Sequence, residues 1–277
     1  MDALERIITL EDEEFRMKEE YRAKIIPFGD IHIGAAGVNK SYLKKTVDWI
    51  EKTPNTWAIG MGDYCDCIDI KDKRFDIKAV DKSFVKDLDN LSLAQIEYMV
   101  DLLEPIKDKI LVMIPGNHED KLRTRYSVDV MKVLGQDLKV KVGGFETYMR
   151  LKFSRNQFHA TPVNFWLHHG WFAGRKIGGK VNQLVDVSTS RDADVWITGH
   201  SHDLWATSLE KQFLPLGGMT PIKVKKVFIN SGTFMETNTM GGTSYSEQKA
   251  YPITKIGTAR LDIYPNHRPR PDLHVRI

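Results

Sequence analysis

The chain has 277 residues, of which 42% are hydrophobic and 28% are charged, and its formal net charge at pH 7 is +3. This composition is typical of a globular protein that buries a substantial core, and the weak positive charge does not by itself require a nucleic-acid partner. No apolar run approaches the ~20 residues of a membrane-spanning helix, and the N-terminus is too charged for a signal peptide, so we expect a cytoplasmic protein with no membrane partner.

The N-terminal segment, residues 1–23, is rich in Glu, Arg, Lys, Leu and Met and contains neither Gly nor Pro. This composition predicts a polar helix that caps the outside of the domain. Short apolar runs that each stop at a glycine-containing turn then predict five buried strands, at residues 24–28, 57–61, 110–114, 164–167 and 194–198. Helical patterns separate several of them, at residues 41–52, 92–103 and 180–191. Strands that alternate with helices are typical of α/β proteins, in which ligands gather at the carboxyl ends of the strands.

The remaining segments follow no such alternation. Residues 71–90 are charged and lack clear periodicity, which predicts an insertion over one rim of a functional site. Residues 138–153 surround Gly143-Gly144 and predict a β-hairpin, and further strands are predicted at 204–208, 223–230 and 258–264. Since no repeat, low-complexity tract or linker divides the chain, we expect one domain over residues 1–277.

Asp, Asn and His side chains stand directly after the five predicted strands. The segments are Asp30-Ile31-His32, Gly62-Asp63-Tyr64-Cys65-Asp66, Gly116-Asn117-His118-Glu119, His168-His169-Gly170 and Gly199-His200-Ser201-His202. Oxygen donors mixed with imidazoles are the ligands that Mn²⁺, Fe²⁺, Zn²⁺ and Co²⁺ accept. One such segment is more often a satisfied polar pair than a ligand set, but five in this order predict a metal centre assembled from distant parts of the chain.

The order D-x-H, G-D-x-x-D, G-N-H-E, H-G and G-H-x-H over residues 30–202 resembles the calcineurin-like metallophosphoesterase superfamily. The resemblance implies a four-layer α-β-β-α sandwich of two mixed β-sheets flanked by helices, with two metal ions at the strand ends. It also implies hydrolysis of phosphate esters by in-line attack of a hydroxide that bridges the two ions. Mn²⁺ is the expected cofactor, and the same ligands accept Fe²⁺, Zn²⁺, Co²⁺ or Ni²⁺.

The resemblance further implies which residues bind the metal ions. Asp30, His32 and His202 would hold one ion, Asn117, His169 and His200 the other, and Asp63 would bridge both. His168 and His169 are neighbours, and only one of them is expected to coordinate. We favour His169 because it immediately precedes the glycine, but the family carries both H-G and H-x-G at this position, so the alternative stays open.

His118 is implied to face the substrate, where its family counterpart donates a proton to the leaving group or stabilises the phosphoryl oxygens. Asp66 matches the position whose carboxylate orients that histidine. Cys65 and Cys67 flank Asp66, and we expect both to stay reduced, because side chains two positions apart rarely meet disulfide geometry.

Basic and aromatic residues after the third and fourth motifs are the candidate substrate contacts. Arg123, Arg125 and Arg175 would attract a phosphate backbone, and the Trp171 ring would stack on a base. For each of these residues, a solvated surface position or ordinary loop packing is the alternative interpretation.

The favoured function is a phosphodiesterase or nuclease that acts on DNA, RNA or nucleotides, similar to the Mre11-type enzymes. A phosphomonoesterase, including a protein phosphatase, is the first alternative. Against it, Asp66 is followed by Cys67-Ile68, whereas the protein phosphatases carry an Arg-Gly pair there. A non-catalytic scaffold on the same fold is the second alternative, and the intact motifs argue against it.

Overall fold

The computed structural model of the protein describes residues 3–9, 21–68, 70, 72, 75–156, 159–172, 174, 176–237, 252–267 and 270–277. Within them the strands are β1 (Ala3–Thr9), β2 (Ala23–Phe28), β3 (Thr56–Gly60), β4 (Ile110–Met113), β5 (Glu146–Asn156), β6 (His159–His168), β7 (Val195–Thr198), β8 (Leu204–Phe213), β9 (Ile222–Thr233), β10 (Gly257–Thr258), β11 (Arg260–Tyr264) and β12 (Asp272–Arg276). The α-helices are α1 (Lys40–Lys52), α2 (Leu91–Leu103), α3 (Asn117–Tyr126), α4 (Val130–Asp137) and α5 (Ile177–Val187). Three 3₁₀ segments are also present, at Ile77–Ala79, Lys82–Asn90 and Glu104–Lys109.

Two mixed β-sheets form the centre of the fold. The five-stranded sheet has the order β12-β11-β2-β3-β4, in which β2, β3 and β4 are parallel. The seven-stranded sheet has the order β1-β5-β6-β7-β9-β10, with β8 paired to β9, and β6, β7 and β9 are parallel in it. The parallel strands of each sheet therefore direct their carboxyl ends to a common edge.

Three apolar clusters show how the layers are stacked. The cluster that contains Ile25, Ile59, Leu151 and Phe165 fills the space between the two sheets. A second cluster packs α1, α2 and α4 on the outer face of the five-stranded sheet, and a third packs Leu184 of α5 on the outer face of the other. The predicted four-layer arrangement of two mixed sheets flanked by helices is confirmed.

Helix α1 illustrates why these segments fold as they do. Its buried residues Leu43, Val47 and Ile50 recur at intervals of three and four, so that one face of the helix covers the sheet. The Asn39 side chain caps its first turn by accepting a hydrogen bond from the backbone N–H of Tyr42 at 2.8 Å. The helix spans residues 40–52, close to the predicted 41–52.

The N-terminal helix predicted for residues 1–23 is wrong where the structure describes that segment. Ala3–Thr9 is strand β1, which pairs in parallel with β5, from Ala3 opposite Tyr148 to Thr9 opposite Ser154. The β-branched run Ile7-Ile8-Thr9 favours an extended backbone, and pairing with the long strand β5 stabilises it, whereas a helix without tertiary packing is only marginally stable. Residues 10–20 of the prediction lie outside the described residues.

The hairpin predicted around Gly143-Gly144 is also wrong. Strand β5 begins only at Glu146, and its hairpin partner is β6, which follows it, with Glu146 opposite His168. Val142 instead forms an isolated parallel bridge with Met113 at the end of β4. The glycines thus mark the entry to β5 and not a turn between two strands.

The described part of segment 71–90 forms two short 3₁₀ helices that pack on the domain. Val80 and Phe84 are buried in the outer core, and the backbone N–H of Asp81 donates to the Gly34 carbonyl at 2.8 Å. The segment therefore lies beside the loop that follows β2. Residues 71 and 73–74 lie outside the described residues. Among the described helices, none has the length and apolar character needed to span a membrane.

Candidate metal centre

The five motifs meet at one edge of the molecule because each follows the carboxyl end of a parallel strand. Backbone hydrogen bonds join the loops after β2 and β3: the N–H groups of Ile31 and His32 both donate to the Asp63 carbonyl, at 2.8 and 3.0 Å. The loops after β6 and β7 are joined in the same way, since the N–H of Gly199 donates to the His169 carbonyl at 2.7 Å. The loops thus form one connected rim above both sheets.

Several candidate ligands adopt a left-handed backbone conformation. The φ angles are 48° at Asp30, 52° at His32, 52° at Asp63, 67° at His200 and 57° at His202. Asp and His enter this region more readily than most residues, but a cost of ~1–2 kcal/mol per residue remains. Such strain accumulates where a functional geometry is held by its surroundings. Here it turns the side chains toward a common centre.

Asp30, His32 and His202 form the first group of donors. His32 Nε2 lies 3.1 Å from His202 Nε2, which lies 3.4 Å from Asp30 Oδ1. Asp30 is completely buried, and its Oδ1 atom has no hydrogen-bond partner. Two imidazole nitrogens and a carboxylate oxygen thus converge on one point, and the oxygen has no hydrogen-bond partner. This arrangement is better explained by a bound cation than by hydrogen bonds among the three groups.

Asp63, His169 and His200 form the second group. His169 Nε2 lies 3.2 Å from Asp63 Oδ2, and Asn117 Oδ1 lies 3.1 Å from His169 Nε2 and 2.8 Å from His200 Nδ1. The same Asp63 oxygen is 3.7 Å from His32 Nε2 of the first group. The Asp63 carboxylate therefore lies between the two groups, which is the position required of a bridging ligand.

The buried carboxylates change the titration of both histidine groups. Burial lowers the pKa of His32, but the hydrogen bond to Asp66 and the charge of Asp63 outweigh it and raise the pKa to about 9. Burial is likewise outweighed by Asp63 at His169, whose pKa is raised to about 10. Burial raises the pKa of Asp30 to about 7. In the absence of a metal ion, protons on the imidazoles balance the carboxylate charge, and a divalent cation can replace them.

His118 lies in the first turn of α3, is buried, and is next to the first group of donors. Its ring stands perpendicular to the His32 ring at 4.5 Å, and burial lowers its pKa. Its Nδ1 atom contacts the backbone carbonyl of Asp66, whereas the Asp66 carboxylate is 3.8 Å away from it and 3.5 Å from His32 Nδ1. The expected partner of His118 is thus present, but the contact is made by the carbonyl and not by the carboxylate.

His168 and His169 point in different directions. His169 joins the second group, and its Nδ1 atom lies 2.7 Å from the Met61 carbonyl, which holds the ring orientation. The His168 ring stacks on Trp166 at 5.5 Å, and its Nδ1 accepts a hydrogen bond from the Gly170 N–H at 2.9 Å. Burial and the charge of His169 lower the pKa of His168 to about 4. The structure brings only His169 of this pair into the centre.

Glu119 is a residue that sequence reasoning left without a function. Its carboxylate accepts four backbone hydrogen bonds: from Asp63 at 2.9 Å, Tyr64 at 2.7 Å, Cys65 at 3.1 Å and Gly116 at 3.0 Å. The side chain is fully buried, and burial together with the charge of Asp63 raises its pKa. It connects the loop that carries Asp63 to the loop that carries Asn117.

The sequence did contain an indication of this contact. Glu119 is the third residue of α3, three positions after Gly116, and a glutamate there typically reaches back to the backbone N–H that precedes the helix. That rule explains the bond to Gly116. The three bonds to residues 63–65 depend on the packing of β3 beside β4, which no local pattern reveals.

The candidate substrate residues are less closely grouped than expected. Arg123 lies on α3 and forms an ion pair with Asp120 at 2.6 Å, while Arg125 is exposed near the end of the same helix. Trp171 follows the second group, with 39% of its surface exposed. Arg175 lies outside the described residues. Cys65 and Cys67 are buried free cysteines and form no disulfide, as expected.

Comparison with known proteins gave one family and several solved structures. The family model of the calcineurin-like phosphoesterases matches residues 23–204. A conserved protein from Streptococcus pneumoniae described as a predicted phosphoesterase is 12% identical, covering 92% of this chain and 99% of its own, with a TM-score of 0.35. Vacuolar protein sorting 29 of Cryptosporidium parvum is 14% identical, covering 93% and 98%, with a TM-score of 0.38. Wild-type Vps29 of Entamoeba histolytica complexed with Zn²⁺ is 12% identical, covering 91% and 98%, with a TM-score of 0.39. The comparison with curated proteins gave no match.

Proposed function

The chain belongs to the calcineurin-like phosphoesterase family, and on this premise we propose that it is a two-metal hydrolase of phosphodiesters in nucleic acids or nucleotides. The observation that carries the proposal is the pair of donor groups joined by Asp63, whose Oδ2 atom lies 3.2 Å from His169 and 3.7 Å from His32. A single structural metal ion would not need two such groups.

In this proposal, Asp30, His32 and His202 hold one ion, Asn117, His169 and His200 hold the other, and Asp63 is shared. When bound, the two divalent ions supply Lewis acidity toward the phosphoryl oxygens and a lowered pKa for the attacking water. Nitrogen and oxygen donors of this kind suit Mn²⁺, and Fe²⁺, Zn²⁺, Co²⁺ and Ni²⁺ are the other candidates.

His118 is the proposed proton donor to the leaving group, or a hydrogen-bond donor to the phosphoryl oxygens. Its Nδ1 atom is engaged by the Asp66 carbonyl, so Nε2 is the nitrogen that can face a substrate. The backbone N–H of His118 donates to Asp63 Oδ1 at 2.9 Å, which fixes the residue relative to the shared carboxylate. A group held in this way needs little reorganisation when the leaving group departs.

A diester is favoured over a monoester by the charge around the centre. A monoester dianion needs a cationic side chain near its phosphate, and the segment after Asp66 provides the buried thiol of Cys67 where an arginine would be required. Two of the cations on α3 are already paired with carboxylates, Lys121 with Asp72 and Arg123 with Asp120. A phosphodiester carries a single negative charge, and it makes a smaller electrostatic demand on the site.

The test compares bis(p-nitrophenyl) phosphate, single-stranded DNA and p-nitrophenyl phosphate with Mn²⁺-loaded protein. We expect a higher kcat/KM for the diesters. The reverse order would identify a phosphomonoesterase. Absence of turnover with all five candidate ions would refute hydrolase activity and support a non-catalytic scaffold.

Metal analysis of two neighbouring variants tests the ligand assignment directly. His169→Asn is expected to lose bound Mn²⁺, because it removes an Nε2 donor of the second group. His168→Asn is the matched control, since it changes the adjacent ring, which stacks on Trp166 outside both groups, and it is expected to keep its metal content. Equal metal loss in the two variants would contradict the assignment.

A further inference from the structure

Trp171 presents a half-exposed indole next to the metal centre. It is 39% exposed, and three other aromatic rings lie close to it. His168 meets it edge-on at 4.9 Å, Phe172 lies at 5.1 Å and Trp166 at 6.2 Å. A ring supported on several sides and open on the remainder is preorganised for stacking and loses little conformational entropy when a ligand binds.

The rings beneath Trp171 are themselves held in place. His168 stacks on Trp166 with an interplanar angle of 12°, and the Trp166 N–H donates to Glu146 at 3.0 Å. Glu146 also accepts a hydrogen bond at 2.9 Å from Arg191, whose guanidinium lies 5.9 Å from the centre of the Trp166 ring. We call the Trp166, His168 and Trp171 rings the aromatic shelf. Within the shelf, the Trp166 N–H is satisfied by Glu146, and His168 Nδ1 is satisfied by the Gly170 N–H.

Gly170 brings the shelf against the second donor group. A Cβ placed on Gly170 would lie 2.8 Å from the Cβ of His200 and 2.8 Å from the Gly199 carbonyl oxygen, so the backbone there touches the loop after β7. Trp171 is the next residue, and one residue spans at most ~3.8 Å between Cα atoms. A group attached to a phosphate in the metal centre is therefore within reach of the shelf.

The charges around the centre favour stacking over a cationic groove as the means of recognition. Lys121 pairs with Asp72, Arg123 with Asp120, and the buried Lys180 of α5 with Asp203. These pairs neutralise most of the attraction that their cations would offer a polyanion. A flat, weakly polar surface remains, and it suits a planar ring that carries no charge of its own.

We propose that Trp171 binds the nucleobase of the esterified nucleotide by stacking, while the phosphate occupies the metal centre. The inference rests on the proposed function, because the metal centre must take a phosphate ester. A nucleobase is separated from its phosphate by one sugar ring, a distance that matches the two-residue offset between His169 and Trp171. The shelf thus selects a nucleotidyl ester over an ester of a small alcohol.

Two esters with the same leaving group test the proposal: thymidine 5′-(p-nitrophenyl phosphate) and methyl p-nitrophenyl phosphate. Trp171→Ala is expected to lower kcat/KM for the thymidine ester about 5- to 150-fold, the range found for stacking on one base, and to change the methyl ester by less than about twofold. Trp171→Phe should keep most of the preference. Trp49→Ala is the matched control, because Trp49 is 38% exposed on α1 and packs beside Arg260.

Equal losses for the two esters, or no loss for either, would overturn the proposal. If the wild-type protein hydrolyses neither ester, the proposed function fails, and calorimetric binding of thymidine 5′-monophosphate and methyl phosphate to the Mn²⁺-loaded protein decides the inference separately. Weaker binding of the thymidine nucleotide alone in Trp171→Ala supports it. Unchanged binding of both phosphates overturns it.

The nucleobase can belong to a free nucleotide ester or to a strand, and salt distinguishes these sources. If the protein contacts several phosphates of oligo(dT), its affinity for oligo(dT) would fall steeply as the salt concentration rises. Its affinity for a single nucleotide would not. Trp171→Ala is expected to weaken binding of the nucleotide ester, of oligo(dT), or of both, depending on which of them the wild-type protein binds. Its absence with both the nucleotide and oligo(dT) would refute the stacking role.

Discussion

Replacing Glu119 by glutamine tests whether one carboxylate organises the loops of the metal centre. The substitution keeps the size and shape of the side chain but replaces one acceptor oxygen by an N–H₂ donor. In the native protein, one oxygen receives the N–H groups of Asp63 and Gly116 and the other those of Tyr64 and Cys65. Because each carboxylate oxygen accepts from two backbone N–H groups, the N–H₂ group of glutamine must face one of these two pairs of N–H donors.

The expected cost follows from the two backbone donors that lose their acceptor. A buried N–H without a partner costs about 1–3 kcal/mol, so the free energy of unfolding should fall by roughly 2–6 kcal/mol. This is a large part of the 5–15 kcal/mol typical of folded domains. The affinity for Mn²⁺ should also fall by about 10- to 100-fold, because the altered loop carries Asp63.

Urea unfolding and Mn²⁺ titration calorimetry measure both effects. Glu210→Gln is the control, because Glu210 is 67% exposed and lies 3.8 Å from Lys223, so its loss should change stability by less than ~0.5 kcal/mol. If Glu119→Gln matches this control in both stability and affinity, the four hydrogen bonds do not organise the centre and the reasoning is refuted.

His118→Ala is expected to keep its metal content and to lower kcat about 10²–10⁴-fold, and metal loss would show that His118 is a ligand. The affinity for Mn²⁺ is expected to rise with pH until the pH passes about 10. The pKa of about 9 at His32 and about 10 at His169 leaves both rings protonated at pH 7 in the metal-free protein, and binding must expel those protons. Calorimetry at several pH values measures this, and a pH-independent affinity would contradict it. Gly170→Ala is expected to lose about 2–5 kcal/mol of stability and to weaken Mn²⁺ binding, because its φ is 125° and the new Cβ would meet His200. Gly174→Ala, with φ 95° and open space around it, should lose only the backbone part, so equal losses in thermal unfolding would exclude the contact with His200.

The strands that carry the motifs could be predicted because local composition and position agree there. Each apolar run is short, ends at or just before a glycine-containing turn, and forms a strand whose residues are almost all buried because both faces of its sheet are covered. Helix α3 was not predicted, because the residues of its first turn are polar and show no helical pattern of apolar residues. Leu122 is the apolar residue among its three buried positions, because the other two are occupied by His118 and Glu119 of the candidate centre.

Strand β1 could not be predicted from composition, because helix-forming residues surround the run Ile7-Ile8-Thr9. Its hydrogen bonds come from β5, more than a hundred residues away, and such pairing overrides a weak local preference. The same applies to the hairpin formed by β5 and β6. Glycines at 143 and 144 indicated a turn between two strands, but β5 begins after them, at Glu146, and pairs along its length with β6.

In the candidate centre, the resemblance carried by the five motifs implied a set of residues, and the structure brings these residues close together. The motifs did not predict which atom makes each contact: Asp66 uses its carbonyl toward His118, and this depends on the backbone path between Cys65 and Cys67. They also did not predict charge pairing. The Asp72 partner of Lys121 lies 49 positions earlier in the chain, and only the fold shows that the two meet.

Asp30 is the earliest of the candidate ligands in the chain, yet residues made much later hold it in position. Its Oδ2 atom accepts the His200 N–H at 2.8 Å, and its carbonyl accepts the hydroxyl of Thr233, 203 positions further along, at 2.7 Å. At ~5–20 residues per second, a ribosome needs about 10–40 s to make that stretch. Until His202 has been made, a nascent chain lacks part of the candidate ligand set, and until Thr233 has been made it lacks a hydrogen bond that holds Asp30. A cation that uses all the candidate ligands can therefore bind only after synthesis has passed His202.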